Sequence, residues 1–318
     1  MAKFLFNQTQ YPEYTGDVQP KPEQWSDLIQ AKLYPYYGSE GLIEAVNLAI
    51  RLNRPLLLEG EPGCGKSQLA RAILYEFSQK YSKIQWRYRQ WNIQSTTKAQ
   101  DGFYYSSEAT QQPAVNLEEN QTDPKNPEHS LNLGPLGQAF NQHEYRTVVL
   151  IDEIDKADTV LHNDLLVALE EQRYQIQEIS PPRLLIANSE APPIIVMTSN
   201  REKDFPQAFL RRCLYHYIEF PEPEQFGKIL NARFNYPPKQ LVYSAIERFL
   251  ELREEMEEER GENAKKVSTS ELIDWFTLLN SYPTREALKK LRQPEIPFPS
   301  VLLKTYLDYS DYVLETDE

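Results

Sequence analysis

Gly60, Gly65, Lys66 and Ser67 stand at the spacing G-x-x-x-x-G-K-S inside LLLEGEPGCGKSQLA, residues 56–70, and each type has a task on a polyphosphate. Glycines let the main chain curl so that several N–H groups point inward, and a helix starting there adds its positive end. The lysine reaches the β- and γ-phosphates and the hydroxyl holds Mg²⁺. The expected phosphate cradle is Gly60, Glu61, Pro62, Gly63, Cys64, Gly65, Lys66, Ser67 and Gln68. Cys64 reads as a small filler residue in that cradle, where Thr, Ala or Ser would serve sterically, although its oxidation would obstruct the cradle.

A second group follows. TVVLIDEIDKAD delivers Asp152 and Glu153 to the end of an apolar run. Asp152 is placed to support the Mg²⁺ shell beside Ser67, while Glu153 is placed to take a proton from an attacking water. Asp155 or Asp158 remains to cap the next helix. PPIIVMTSN ends on Asn200, whose amide donates and accepts at once and so can position a nucleophile. FPQAFLRRC sets Arg211 and Arg212 after a short amphipathic stretch, where surface arginines are ordinarily just solvated.

These residues need a scaffold that brings distant segments to one edge. Strands are expected at Leu56–Glu59, Ile84–Ile93, Thr147–Ile151, Ile194–Ser199 and Leu214–Phe220, separated mostly by helical stretches such as Gln68–Lys80. That alternation predicts an α/β fold with a parallel five-stranded sheet covered on both faces. A helix beginning near Leu42 is expected to stop at Pro55. Residues 1–35, with Pro12, Pro20, Pro22 and Pro35, read as an irregular lead-in, and 36–221 as the nucleotide-binding domain.

The stretch 95–140 reads as an exposed insertion, with a hairpin starting at Phe103–Tyr105 and a second hairpin about 172–190. After Phe220 the pattern turns helical, so 222–318 is expected to be a smaller all-helical domain. Its charge run ELREEMEEER reads as a solvated helix face.

Composition narrows the classes. A net charge of −13 argues against coating nucleic acid, and Lys83, Arg87 and Arg89 in YSKIQWRYRQW alternate as a sheet strand with one polar face does. Two cysteines and four scattered histidines give no metal site of the Cys/His type. With no apolar run long enough to span a bilayer and no secretory signal, a cytoplasmic protein without membrane insertion is expected.

Phosphate loop, acidic pair, strand-end Asn and arginine pair ahead of a helical domain resemble the AAA+ ATPases over residues 36–280, and within them most closely the MoxR group and its dynein-related relatives. EGEPGCGKSQLA, LIDEIDKAD, ALEEQRYQI, PRLLIAN, TSN and AFLRRC stand in that group's order. The resemblance implies a P-loop NTPase AAA+ core with a C-terminal lid domain, ATP and Mg²⁺ as cofactors, and a hexameric ring. Arg211 or Arg212 would then reach the γ-phosphate bound by a neighbour. It also implies a chaperone-like role on a protein client, often one with a von Willebrand factor A domain.

ATP rather than GTP follows from the resemblance too, with Tyr36, Tyr37 and Leu42–Ile43 as candidate walls for the base. One position departs from the family pattern: Ser270 stands where relatives carry a lid arginine that touches the γ-phosphate, leaving Lys265 or Lys266 as substitutes or a lid that responds more weakly. Two rival readings stay open, a nucleic-acid-linked motor and a nucleotide-gated switch with little turnover.

Overall fold

Apolar side chains alternate between two opposite cores along the central strands, which is why those strands read as continuous hydrophobic runs. Leu56 and Leu58, Val148 and Leu150, and Ile194 and Val196 enter one core; Leu57, Val149 and Ile151, and Ile195 and Met197 enter the other. Successive strand residues point to opposite faces, so both faces must be covered. Each fully buried Leu, Ile or Val here contributes about 1.5–3 kcal/mol of transfer free energy.

The computed structural model describes residues 11–106, 131–142, 144–179, 181–261 and 266–314. A short antiparallel pair, β1 (Gln24–Ser26) and β2 (Ala31–Leu33), precedes α1 (Glu40–Leu52), β3 (Leu56–Gly60), α2 (Lys66–Lys80) and β4 (Gln85–Asn92). Next come α3 (Ala99–Phe103), β5 (Tyr104–Ser106), β6 (Leu131–Leu133) and α4 (Pro135–Phe140), then β7 (Tyr145–Asp152) and α5 (Thr159–Glu171). The antiparallel pair β8 (Arg173–Ile176) and β9 (Arg183–Ile186) leads to β10 (Ile194–Ser199), α6 (Gln207–Leu210) and β11 (Leu214–Ile218).

The main sheet is parallel, with order β11-β3-β10-β7-β4. Central β10 thus lies between β3, which feeds the glycine-rich loop, and β7, which ends on the acidic pair. All three strands finish at the same edge, and ligands of open α/β sheets sit there. On the far edge, β4 buries Trp86, Tyr88 and Trp91. Its Arg87 stacks on Tyr145 and its Arg89 donates to Gln138, so these two guanidinium groups serve the strand's own packing.

Helices α7 (Pro223–Arg233), α8 (Lys239–Arg260), α9 (Thr269–Asn280), α10 (Thr284–Leu291), α11 (Pro299–Leu302) and α12 (Tyr306–Tyr309) surround a separate core that includes Phe226, Phe249, Trp275 and Phe276.

Four details differ from the sequence-based expectation. Helix α1 ends before Pro55: Asn53 takes the left-handed conformation (φ 51°) and donates its N–H to Ala49 and Ile50, a C-terminal cap that needs no proline. Part of the lead-in is ordered against α2. Tyr14 is buried, and the Thr15 and Gly16 N–H groups donate to the fully buried Glu76 at 2.7 and 2.8 Å.

Within the stretch expected to be exposed, Phe103, Leu136 and Phe140 are fully buried; residues 107–130 lie outside the described residues. The charge run is not wholly solvated either, because helical periodicity turns Leu252, Arg253 and Met256 inward while Glu254, Glu255 and Glu258 stay exposed.

Candidate functional site

The Gly60–Ser67 turn needs backbone that side chains disfavour. Gly63 and Gly65 have φ of +76° and +90°, and a Cβ on Gly63 would sit 2.4 Å from Ser270 Oγ. Helix α2 starts at Lys66 immediately afterwards, which aims its first N–H groups at the loop. Lys66 Nζ donates to the Gly60 and Glu61 carbonyls, both at 2.9 Å, and burial lowers its pKa.

Cys64 lies 3.9 Å from that ammonium group, yet burial pushes its thiol up. It is thereby kept from the reactive thiolate form.

Across the sheet edge, Ser67 Oγ and Thr198 Oγ1 both donate to Asp152 Oδ1, at 2.7 and 2.6 Å. The Ser67 hydroxyl at the start of α2 and the Asp152 carboxylate at the end of β7 form a hard oxygen donor set of the kind Mg²⁺ takes. Together with a cradle that a Cβ would fill, the residues present fit a magnesium-bound polyphosphate.

Glu153 adopts a left-handed conformation (φ 60°, ψ 48°) that is uncommon for a residue with a Cβ. Its N–H donates to Thr198 Oγ1 at 2.9 Å. The carboxylate accepts from Asn200 Nδ2 at 3.3 Å and pairs with Lys156 at 2.6 Å. Asn200 is fixed in turn by Asp155, whose Oδ2 accepts the N–H groups of Asn200 and Glu202, each at 2.9 Å.

These groups open into a cleft of roughly 910 Å³ lined by residues 62–68, Asp152, Glu153, Thr198, Asn200, Tyr36, Tyr37 and Leu42, with Thr269 and Ser270 on the opposite wall. The profile of the AAA domain (dynein-related subfamily) matches residues 55–213, half of the chain. The chain belongs to the dynein-related AAA family. Its α/β P-loop NTPase fold and five-stranded sheet are those of the AAA ATPases. Domain III of the replication initiation protein DnaA from Thermotoga maritima is similar at 15% identity with a TM-score of 0.45, over 87% of this chain and 95% of that one. No curated protein matches the chain.

Set in this AAA domain, most of the residues singled out from sequence converge, and several do not. Gly60 and Glu61 lie behind the cleft: Gly60 gives its carbonyl to Lys66, and Glu61 turns its carboxylate to Arg253. Arg211 and Arg212 are absent from the lining; Arg211 is exposed, and Arg212 donates to Glu170 at 2.5 Å.

Around the base walls, Tyr36 has its N–H and carbonyl both taken by the Gln19 amide, and the Tyr37 carbonyl accepts from Gln225. Ile43 does not line the cleft and stands beside Gly16. Lys266 pairs with Glu257 at 2.8 Å; Lys265 lies outside the described residues.

Sequence reasoning missed Thr198, read Asp155 only as a helix cap, and took Arg253 for part of a solvated face. Asp158 is the cap, accepting from Leu161 N at 2.9 Å. Thr198 carried a partial signal: a hydroxyl at a strand's end is legible in the sequence, but that its strand β10 lies beside the acidic strand β7 is not.

No described helix is long and apolar enough to cross a membrane.

Proposed function

We propose that this AAA protein is a Mg²⁺-dependent ATPase that assembles as a hexameric ring and uses hydrolysis to remodel a protein partner. The observation that carries this reading is the connected set Ser67–Asp152–Thr198–Glu153–Asn200, which joins the phosphate loop to the acidic strand end through hydrogen bonds of 2.6–3.3 Å. Ser67 and Asp152 would hold Mg²⁺, which would supply charge neutralisation on the phosphates when bound.

Lys66 and the N–H groups of the loop bind the phosphate chain. Glu153 accepts the proton of the attacking water, and Asn200 orients that water by donating and accepting. Arg211 or Arg212 serves the cleft of an adjacent copy, in keeping with the exposed Arg211 and the partly exposed Arg212 both standing outside the chain's own cleft. Leu184 and Ile186 on β9 and Val160 and Val167 on α5 are exposed apolar residues. They support a contact with a neighbouring copy or with a client, a von Willebrand factor A domain protein being the class the MoxR resemblance suggests.

The test separates binding from chemistry. Lys66→Ala weakens ATP binding, whereas Glu153→Gln keeps ATP bound and lowers turnover by roughly 10²–10⁴-fold, the range of general-base catalysis. Unchanged turnover in Glu153→Gln removes the assigned base.

One observation favours a second reading, the switch with little turnover: Glu153 is already paired with Lys156. If that pairing holds the base in reserve, Lys156→Ala raises basal ATPase activity.

A further inference from the structure

Glu61 belongs to the glycine-rich loop by sequence, yet it faces away from the cleft toward the helical domain. Its two carboxylate oxygens both accept from Nη2 of Arg253 at 2.8 Å, across 192 residues of chain. The arginine sits in the body of α8 with its side chain only 9% exposed, against 35% for Glu61. Nη1 of the same guanidinium donates to the Val267 carbonyl at 2.6 Å, and its Cζ lies 3.6 Å from the centre of the Phe220 ring. One cation therefore ties together the phosphate loop, the chain segment just after β11, and the residue that precedes Ser268, the N-cap of α9.

The same junction brings α9 onto the loop. Ser268 and Ser270 crowd Gly63 so closely that a Cβ there would lie 2.6 and 2.4 Å from their hydroxyl oxygens. What α9 presents to the cleft is Thr269, Ser270, Ile273 and Asp274, none of them cationic. Lys266, just ahead of it, is engaged with Glu257.

We propose that Arg253 and Glu61 form a latch that sets the helical domain over the phosphate loop before nucleotide arrives, making Arg253 a positioning residue that acts on the cleft through Glu61 and α9. The inference rests on the reading of that cleft as a nucleotide site. A guanidinium stays charged at any pH the fold tolerates, and its planar group, with Nη2 on the Glu61 carboxylate and Nη1 on the Val267 carbonyl, fixes the angle between the two segments it joins. A lid held in place beforehand reduces what must be ordered on binding. Because the latch touches loop and lid rather than the terminal phosphate, it aids ATP and ADP alike.

The unequal burial gives the pair an asymmetry. Glu61→Gln strands a buried cation that cannot lose its proton, whereas Arg253→Met leaves a carboxylate able to turn toward water. The charge-neutral variant should therefore loosen the junction more than the truncated arginine does.

The test uses the full chain, with amide hydrogen exchange on the nucleotide-free protein and equilibrium binding of fluorescent ATP and ADP. Exchange at residues 61–64 and 266–272 is expected to rise about ten-fold or more in Arg253→Met and further in Glu61→Gln, while β7 and β10 stay protected. Affinity for both nucleotides is expected to fall by the same factor, and Glu61→Met/Arg253→Met to bind no worse than Arg253→Met. Should Arg253→Met lose protection in β7 and β10, Arg253→Lys keeps the charge without the fork, and faster exchange at the same two segments is then expected at smaller amplitude.

Exchange and affinities equal to the parent overturn the latch, as does a loss confined to ATP, which would make Arg253 a direct contact of the γ-phosphate. A parent chain that binds neither nucleotide overturns the nucleotide site itself, and the latch with it.

Discussion

The carboxyl edge of the sheet and the segment Phe205–Arg212 hold the two groups of residues with the most evident chemistry, and they are built in opposite ways. At the sheet edge each functional side chain is held by another: Asp152 by Ser67 and Thr198, Glu153 by Asn200, Asn200 by Asp155. On the other segment Phe209 is buried, while Arg211 is exposed and Arg212 pairs with the half-exposed Glu170. An exposed ion pair of that kind contributes only about 0–1 kcal/mol, so Arg212 gives up little by leaving it. The first group is held within one chain's cleft, whereas the second is anchored by the buried Phe209 with both guanidinium groups outside that cleft, the arrangement the proposed trans role requires.

The hardest way to break that contrast is to ask whether the arginines act in trans. An arginine that completes a phosphoryl-transfer site is worth roughly 10³–10⁵ in turnover, the largest effect expected here. If one of Arg211 and Arg212 serves a neighbour's cleft as proposed, its replacement by Ala is expected to lower ATPase activity by about 10³-fold, with nucleotide affinity nearly unchanged. Mixing that variant with Lys66→Ala is expected to restore part of the activity, since some seams then join an intact loop to an intact arginine. Two inactive parents that give an inactive mixture, or an Arg211→Ala/Arg212→Ala chain with parental turnover, would remove the trans role.

Asp155 offers a smaller effect that sharpens the other side of the comparison. Its carboxylate is fully buried and holds the N–H groups of Asn200 and Glu202. Asp155→Ala leaves both donors without that acceptor, at about 1–3 kcal/mol each where water cannot replace it. Chemical denaturation is expected to register that loss, and turnover to fall because Asn200 is no longer fixed. If stability drops while turnover is kept, the hold of Asp155 on the Asn200 backbone is structural only and contributes nothing to the proposed orientation of the water.

The asymmetry between the two regions also explains what the sequence disclosed. The spacing of Gly60, Gly65, Lys66 and Ser67 survives as a pattern because contiguous backbone makes the cradle, and the apolar runs ending at Asp152 and Ser199 are legible because both sheet faces must be buried. Thr198 and Asp155 were harder to see, since their work depends on which strands become neighbours in the order β11-β3-β10-β7-β4. Arg253 was harder still. Its partner lies 192 residues away, and its inward direction was masked by the acidic residues on either side of the same helix. Glu61 misled in the opposite direction, being inside the motif but outside the cleft.

His162 on α5 lies between the two regions, and its titration gives the mildest test of whether they are joined. Nε2 meets the Ile154 carbonyl at 3.0 Å, one residue after Glu153, while the ring packs against Phe205 and Phe209, each at 5.2 Å, on the arginine side. Nδ1 is buried with no hydrogen-bond partner among the described residues. Burial lowers the pKa of this imidazole, the contact to Ile154 opposing it only in part. With the folded value below the unfolded one, the unfolded chain binds more protons as pH falls through about 6.5. Stability from the neutral ring is thus complete above that pH and is lost below it, at no more than about 1.4 kcal/mol per pH unit. In His162→Gln, urea midpoints between pH 7.5 and 5.5 are expected to shift less than in the parent. If the parent and the variant lose stability in parallel, proton uptake at this ring is not what weakens the join between the acidic strand end and the arginine segment.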